Sequence, residues 1–450
     1  MRKLFIANRG EIAVRIARTA KEMGIRTVVG VSEADLGSLA AQVADEHVVL
    51  GPAPATASYL DHDAVISAAV ERGCDAVHPG YGFLSENAVF AGRVVAAGLI
   101  WVGPPAEAIE TMGNKAEARA AARRAGVPVL KGTDGPLDPE ADALEIARAI
   151  GYPLVVKASA GGGGRGIRFV HDESELLDTI DLARGEASAV FGDPTVYLER
   201  FVESARHVEV QVLGDGSSFI HLGDRDCSMQ RRSQKVIEEA PAPDLPDDVR
   251  QTIRESSVEL ARQCGYHGAG TVEFLYDPVR QEAAFIEMNT RIQVEHPITE
   301  EITGVDLVRE QLLIAYDGVL SLSQEDIAFR GHAIECRINA EDPDNNFFPS
   351  PGRIGRLAWP QGPGIRVDSG VVEGSVVTPF YDSMLAKLIV HADDRPTAIT
   401  AALQALAATE IEGIKTTIPM HSKLLARSEF ADVAHHSKFI ETAPDMLEAS

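Results

Sequence analysis

The stretch from Ala283 to Glu295 allows few backbone conformations. Its polar residues Glu287, Asn289, Arg291, Gln293 and Glu295 fall on odd numbers, while Met288, Thr290, Ile292 and Val294 between them are mainly apolar. Successive side chains of a β-strand point to opposite faces, so the pattern predicts one strand over 283–294 with a polar row on one side. Two acids, a cation and two amides on one face are costly to bury unless a partner or ligand satisfies them. A solvated sheet face would carry more Lys and Thr and less Asn and Gln. The run Gly270–Tyr276 also reads as a strand, and Asp277–Gln281 joins the two as a hairpin. Its alternation through Thr271, Glu273 and Leu275 sets Glu273 across from Glu287. Two carboxylates and the Asn289 amide oxygen form a hard-oxygen set suited to Mg²⁺ or Mn²⁺ beside phosphates. On a straight strand Arg291 and Glu295 would lie about 13 Å apart. Both reach one small anion only if the strand bends near Gln293.

Other segments supply complementary chemistry. The loop Gly161–Gly166 follows a buried-type strand, Leu154–Lys157. Glycines let several backbone N–H groups approach a phosphate, and Lys157 can add a positive charge. The spacing differs from the P-loop pattern. In Arg206–Gln211, His207, Glu209 and Gln211 share one face of a strand. The segment Arg225–Lys235 holds Arg225, Arg231, Arg232 and Lys235, four basic residues in eleven, and reads as a local anion clamp, with a surface loop as the alternative. Arg337 reads as part of a polar loop, Cys336–Asp342.

Composition bounds the partners. The 450 residues suffice for two to four domains. With 42 basic and 67 acidic side chains the net charge is −25, which argues against nucleic acid or an anionic membrane as the main partner. An anionic substrate then needs a local positive pocket. Cys74, Cys227, Cys264 and Cys336 form no C-x-x-C pair and read as reduced thiols of a cytoplasmic protein. The longest apolar runs are too short to span a membrane. Lys3–Ala7, Glu11–Met23 and Thr27–Val31 read as a βαβ unit, with further strands at Asp75–His78 and Leu99–Val102. Gly103–Ala106 reads as a boundary and Asn114–Gly126 as a helix. The third region, from near Gly331, closes with a helix at Ala398–Ala408. The class expected is α/β and α+β.

Seven stretches bring a family into view: Ile6–Ile12, His78–Asn87, Lys157-Ala-Ser with its glycines, Arg206–Glu209, Asp226–Arg232, Glu287–Pro297 and Glu335–Asp342. In these the chain resembles biotin carboxylase, the ATP-grasp component of biotin-dependent acyl-CoA carboxylases. The resemblance implies a Rossmann-like N-terminal domain (1–113), an ATP-grasp domain (114–330) with a mobile lid at about 130–203, and a C-terminal biotin carboxylase domain (331–446). It implies that Lys115, Lys157, Gly163, Gly164 and His207 hold ATP, that Glu199, Arg200, Phe201 and Val202 form the adenine hinge, and that Glu273, Glu287 and Asn289 bind two Mg²⁺ or Mn²⁺ ions. Glu273 and Glu287 would thereby also contact ATP. Bicarbonate would sit on Lys235, Arg291, Gln293 and Val294, with Glu295 as base. Tyr81, Gly82 and Arg337 would meet biotin. Arg291, Glu295, Lys235 and Arg337 would be the catalytic set. The chain departs from the bacterial pattern at Ser233, where a histidine is usual, at Arg200, where lysine is usual, and in a slightly longer hairpin loop at Asp277–Gln281.

No Met-Lys-Met biotin-attachment sequence occurs. Biotin is therefore expected on a separate biotin carboxyl carrier protein, with carboxyltransferase subunits downstream. Acetyl-CoA and fatty acid synthesis are the first expectation, and a homodimer is implied by the family. Two alternatives stand beside this reading. Another ATP-grasp ligase need not keep Arg337 or His78–Asn87. A silent scaffold paralogue should have lost Lys235, Arg291 or Glu295.

Overall fold

The computed structural model describes residues 1–133, 135–138, 142–158, 167–191 and 193–443. Gly163 and Gly164 lie outside them. The first strand, Lys3–Ile6, is followed by helix Gly10–Glu22, whose Ile12, Ile16 and Ala20 face the core. A parallel five-stranded sheet results, in the order Glu46–Gly51, Arg26–Ser32, Lys3–Ile6, Ala76–His78, Ile100–Trp101. The order changes direction between the third and fourth of these strands. In such sheets ligands bind beyond the carboxyl ends of the strands at that switch point. Asn8–Arg9 and Pro79–Gly82 leave the two strands there, and Asn8 Nδ2 donates to the carbonyls of Pro79 (2.6 Å) and Tyr81 (2.7 Å).

Helix Lys115–Arg124 begins where Asn114 accepts hydrogen bonds from the Ala116 and Glu117 amides. The antiparallel strands Ile167–Val170, Leu154–Ala158 and Val196–Arg200 form a small sheet. Its apolar face packs on helices Ala143–Ile150 and Leu176–Phe191.

The largest layer is an eight-stranded antiparallel sheet. Its order is Glu282–Asn289, His267–Asp277, Arg206–Asp215, Phe219–Arg231, Gln234–Ala240, His332–Asn339, Met384–Ala392, Ile365–Ser369. Helix Asp247–Gln263 covers one face through Val249, Ile253 and Leu260, against Val208, Val210, Val272 and Phe274. The short helix His296–Thr303 places Ile298 and Ile302 against Ala240, Ala333 and Ile389.

Three expectations are corrected. The polar row does not lie on one strand: the sheet ends at Asn289, and residues 290–295 leave it before Gln293. Arg225–Lys235 is not a loop but two paired strands joined through Arg232 and Ser233, both at positive φ. Arg337 sits in strand His332–Asn339, not in a loop. In each case long-range side-chain pairs satisfy polar groups that, in isolation, would favour solvent.

Candidate active site

Glu273 and Glu287 are cross-strand neighbours, as are Thr271 and Asn289, so the hairpin geometry read from the sequence holds. Glu209 pairs with Glu273 from the next strand. Three acids thus meet on one face of three adjacent strands. Glu273 and Glu287 line a cleft of about 780 Å³ with His207, Lys235, Asn289, Arg291, Gln293, Val294, Glu295, Arg337 and Tyr81, while Glu209 is fully buried.

Lys235 is the hub. Its Nζ donates to Glu209 Oε2 (2.7 Å), Glu273 Oε1 (2.9 Å) and Glu295 Oε1 (2.7 Å). Burial alone would lower its pKa, but the three carboxylates raise it well above the usual lysine range. Arg337 donates to Glu295 Oε2 (2.9 Å) and to Glu238 Oε1 (2.5 Å). Burial would raise the Glu295 carboxyl, but Lys235, Arg337 and Arg225 outweigh it and hold it well below the carboxylate range. Burial pushes Glu238 up to about 7 against the pull of Arg337.

Beneath this layer Arg225 is fully buried. It donates to Glu209 (2.5 Å), Gln211 (2.8 Å), Thr271 (3.2 Å), Thr299 (2.9 Å) and Gln293 (2.7 Å). Gln293 in turn donates to Glu273 Oε1 (2.7 Å). The four basic residues expected as one clamp are therefore divided. Lys235 faces the cleft centre, Arg225 braces it from within, and the Arg231 guanidinium lies 3.6 Å over the Phe347 ring.

Glu273 also faces His207, whose Nε2 is 3.0 Å from Glu273 Oε2, and it accepts from Asn289 Nδ2 (2.9 Å). Burial, then repulsion from Glu273 and Glu86, raises the Glu287 carboxyl. A crowded carboxylate beside a second one, with an amide oxygen at hand, fits a divalent cation with hard-oxygen preference. Arg291 and Glu295 share the cleft, each held by its own partners. Arg291 Nε donates to Glu86 Oε2 (2.9 Å) and Nη2 to Asn289 Oδ1 (3.1 Å).

The nucleotide residues are more dispersed. Lys157 pairs with Glu199, and Lys115 opens its helix beside Glu287, whose charge it offsets. The Arg200 side chain turns to the Ile150 carbonyl (2.8 Å) and Glu282 (2.5 Å). Arg200 and Val202 line a separate cavity of about 370 Å³ with Leu275 and Ala284. Phe201 packs edge-on against Phe169, with ring centroids 4.7 Å apart. Ser233 and Gly82 line the main cleft.

Sequence reasoning missed Glu86, Glu238, Glu11 and Lys387, and it counted Arg225 with the anion clamp although the side chain is fully buried. The Lys387 side chain is fully buried, donates to the Val294 carbonyl (2.8 Å) and lies 3.6 Å from Glu11 Oε1. Glu11 accepts the Tyr81 hydroxyl. Burial raises the Glu11 carboxyl, and Lys387 offsets part of that rise. A lone lysine in the apolar run Met384–Val390 was the readable signal.

Three family models cover nearly the whole chain: the biotin carboxylase N-terminal domain over residues 1–109, the ATP-binding domain of carbamoyl-phosphate synthase L chain over 114–323, and the biotin carboxylase C-terminal domain over 335–442. A biotin carboxylase of Pseudomonas aeruginosa is 52% identical over 443 residues, spanning 98% of each chain. The chain belongs to the biotin carboxylase family. It is an ATP-dependent ligase with the three-part biotin carboxylase architecture and an ATP-grasp fold. The biotin carboxylase domain of a thermophilic 2-oxoglutarate carboxylase, solved with ADP, matches at TM-score 0.96 and 45% identity over 100% of this chain and 99% of that one. A dimer of the Hydrogenobacter thermophilus 2-oxoglutarate carboxylase domain, solved with MgADP, ADP and bicarbonate, matches at TM-score 0.85 and 45% identity, with 100% and 99% covered. Lys235, Arg291, Glu295 and Arg337 are all present, so neither a silent scaffold nor an unrelated ATP-grasp ligase is favoured. Among the described residues no helix is long and apolar enough to cross a membrane.

Proposed function

We propose that the chain uses ATP and bicarbonate to carboxylate biotin through carboxyphosphate, with Lys235, Glu295, Arg291 and Arg337 as the catalytic set. The observation that carries the assignment is the contact of Lys235 with Glu209, Glu273 and Glu295 at 2.7–2.9 Å. One cation bridges the metal-type acids and the base, at the point where a bicarbonate would join ATP.

Bicarbonate would rest on Lys235, Arg291, Gln293 and the Val294 backbone. Glu295 takes its proton, and the resulting oxygen attacks the γ-phosphorus as ADP leaves. A bound anion that draws Lys235 to itself loosens the hold on Glu295 and makes that carboxylate a stronger base. Glu273, Glu287 and Asn289 would hold Mg²⁺ or Mn²⁺ at two sites, supplying neutralising charge to the phosphates. Lys115, Lys157, Gly163, Gly164 and His207 bind the phosphates and ribose, and the backbone of Glu199–Val202 reads adenine. The engagement of the buried Arg200 side chain by the Ile150 carbonyl and Glu282 supports a backbone reading that tolerates Arg for Lys. Carboxyphosphate then splits into CO₂ and phosphate, and the phosphate removes the N1 proton of biotin. Arg337 stabilises the enolate oxygen of biotin, Arg291 the forming carboxylate, and Tyr81 and Gly82 border the bicyclic ring.

We further propose domain bounds of 1–113, 114–330 with a lid at about 130–203, and 331–446. The chain works in the cytoplasm as a homodimer, with biotin on a separate carrier protein and a carboxyltransferase downstream. Acetyl-CoA is the first candidate acceptor, and the 2-oxoglutarate carboxylase likeness names the second to test. The test measures ATP hydrolysis with and without bicarbonate, then ¹⁴C fixation on added free biotin. Hydrolysis indifferent to both would sink the reading.

A further inference from the structure

Arg291 differs from the other cations of the cleft in how it is held. Lys235 contacts three carboxylates and Arg337 two. Arg291, among the described residues, pairs with one carboxylate, Glu86, which comes from 205 positions earlier in the chain. Glu86 uses both oxygens. Oε2 accepts Arg291 Nε at 2.9 Å, and Oε1 accepts the Thr290 backbone N–H at 3.2 Å. This clip sits where the chain leaves the sheet after Asn289. Arg291 lines the cleft and Glu86 does not. The Nε edge of the guanidinium is thus held from outside, while the Nη1 and Nη2 edge makes only neutral contacts, with the Ile292 carbonyl (3.3 Å) and Asn289 Oδ1 (3.1 Å). That is the edge with which a planar guanidinium can grip a carboxylate.

Glu86 is itself fixed by its neighbours. The Ser85 amide donates to the Gly82 carbonyl (3.0 Å) and the Asn87 amide to the Leu84 carbonyl (3.2 Å). Asn87 caps the next helix by accepting the Phe90 amide (2.8 Å). Only three residues therefore separate Gly82, in the loop assigned to biotin, from Glu86, the carboxylate that aims Arg291.

We propose that Glu86 is a positioning residue that sets the Arg291 guanidinium toward the substrate carboxylate and couples it to the Tyr81–Gly82 loop. The proposal rests on the reading of Arg291 given above. The Glu86 side chain is 41% exposed, and pairs so open to water add little to stability. Its removal should disturb orientation more than folding, and small displacements of an aligned group cost large factors in rate.

The experiment compares wild type, Glu86→Ala and Glu86→Gln for biotin carboxylation, bicarbonate-dependent ATP hydrolysis, KM for ATP and melting temperature. Glu86→Ala is expected to lower the kcat for biotin carboxylation at least 10-fold and to raise the ATP hydrolysed per biotin carboxylated. Its KM for ATP and melting temperature should stay at wild-type values. Glu86→Gln keeps an acceptor oxygen and should recover to within about 3-fold of wild type. A Glu86→Ala enzyme with wild-type kcat and an unchanged ATP-to-biotin ratio would overturn the role of Glu86 alone. So would equal damage in both variants that tracks a lowered melting temperature. A wild type that carboxylates no biotin would overturn the reading of the site itself, and this inference with it.

Discussion

Lys387→Met tests the buried support beneath the bicarbonate cradle. Lys387 has no exposed side-chain surface and Glu11 retains 4%, so neither group can turn to water. The substitution leaves the Val294 carbonyl without its 2.8 Å donor and Glu11 without the cation 3.6 Å away. Removing one partner of a buried pair costs about 3–5 kcal/mol, and an orphaned acceptor about 1–3 kcal/mol. The long ion-pair distance puts the total near the low end, about 4 kcal/mol at pH 7.5.

The pH dependence separates the two contributions. Glu11 already has a folded-state pKa above its ordinary value because of burial, and loss of Lys387 raises it further. A carboxyl raised in the folded state binds a proton more tightly there than when unfolded. Its stability cost therefore appears as pH rises past the unfolded value of about 4.3 and grows until the folded pKa is reached. The slope is at most about 1.4 kcal/mol per pH unit, so the variant should lose less stability at pH 5.5 than at pH 7.5. Equilibrium urea unfolding of wild type, Lys387→Met and Lys387→Met/Glu11→Gln at both pH values measures this. The double variant should recover most of the loss and its pH dependence. An equal loss at both pH values, or no recovery with Glu11→Gln, would refute a charged Glu11–Lys387 pair.

Arg337→Ala should retain bicarbonate-dependent ATP hydrolysis within about 10-fold while biotin carboxylation falls at least about 100-fold, since its assigned charge develops on biotin; steady-state assays of both activities check this, and equal losses would contradict it. Glu287→Gln removes one negative donor and should raise the Mg²⁺ concentration for half-maximal hydrolysis about 10-fold, read from a metal titration at saturating ATP. The wild-type enzyme should also need more Mg²⁺ as pH falls, because Glu287 has a raised pKa and takes up a proton earlier than an ordinary glutamate. Arg225→Met leaves the buried Glu209 Oε1 without its donor, with only Lys235 remaining on Oε2, and should cost about 3 kcal/mol in urea unfolding, more than any single substitution at the exposed rim of the cleft.

Much of the site was legible because its alternation is local. Glu273 faces Glu287 for the same reason that Thr271 faces Asn289, and period two fixes both. The end of that strand was not legible. Thr290 and Arg291 continue the polar–apolar alternation, yet the backbone turns there under a carboxylate from another part of the chain. Arg337 was misread because Arg-Ile-Asn-Ala-Glu-Asp looks solvated until Glu238 and Glu295 are placed beside it. The Arg225–Lys235 segment failed similarly: a buried arginine with five partners on two other strands, a helix and the segment after Asn289 has the same local signature as one on a surface loop. Lys387 left a trace, a charge inside an apolar run. Glu86 left none, because its partner is 205 positions away.

The seam between the ATP-binding and C-terminal parts runs through a continuous sheet. The matched domain models end at 323 and resume at 335, yet strands Gln234–Ala240 and His332–Asn339 are hydrogen-bonded neighbours, with Ile237 opposite Cys336 and Glu238 opposite Glu335. Lys235 and Arg337 therefore keep their spacing by a backbone ladder and not by how two bodies happen to dock. The consequence is for inheritance as much as for mechanism. A recombination point near 330 joins two modules only if both edges carry the same register, since a slip of one residue would turn Arg337 to the opposite face. These two parts of the chain are bound to diverge together, like the halves of a zipper cut from one tape.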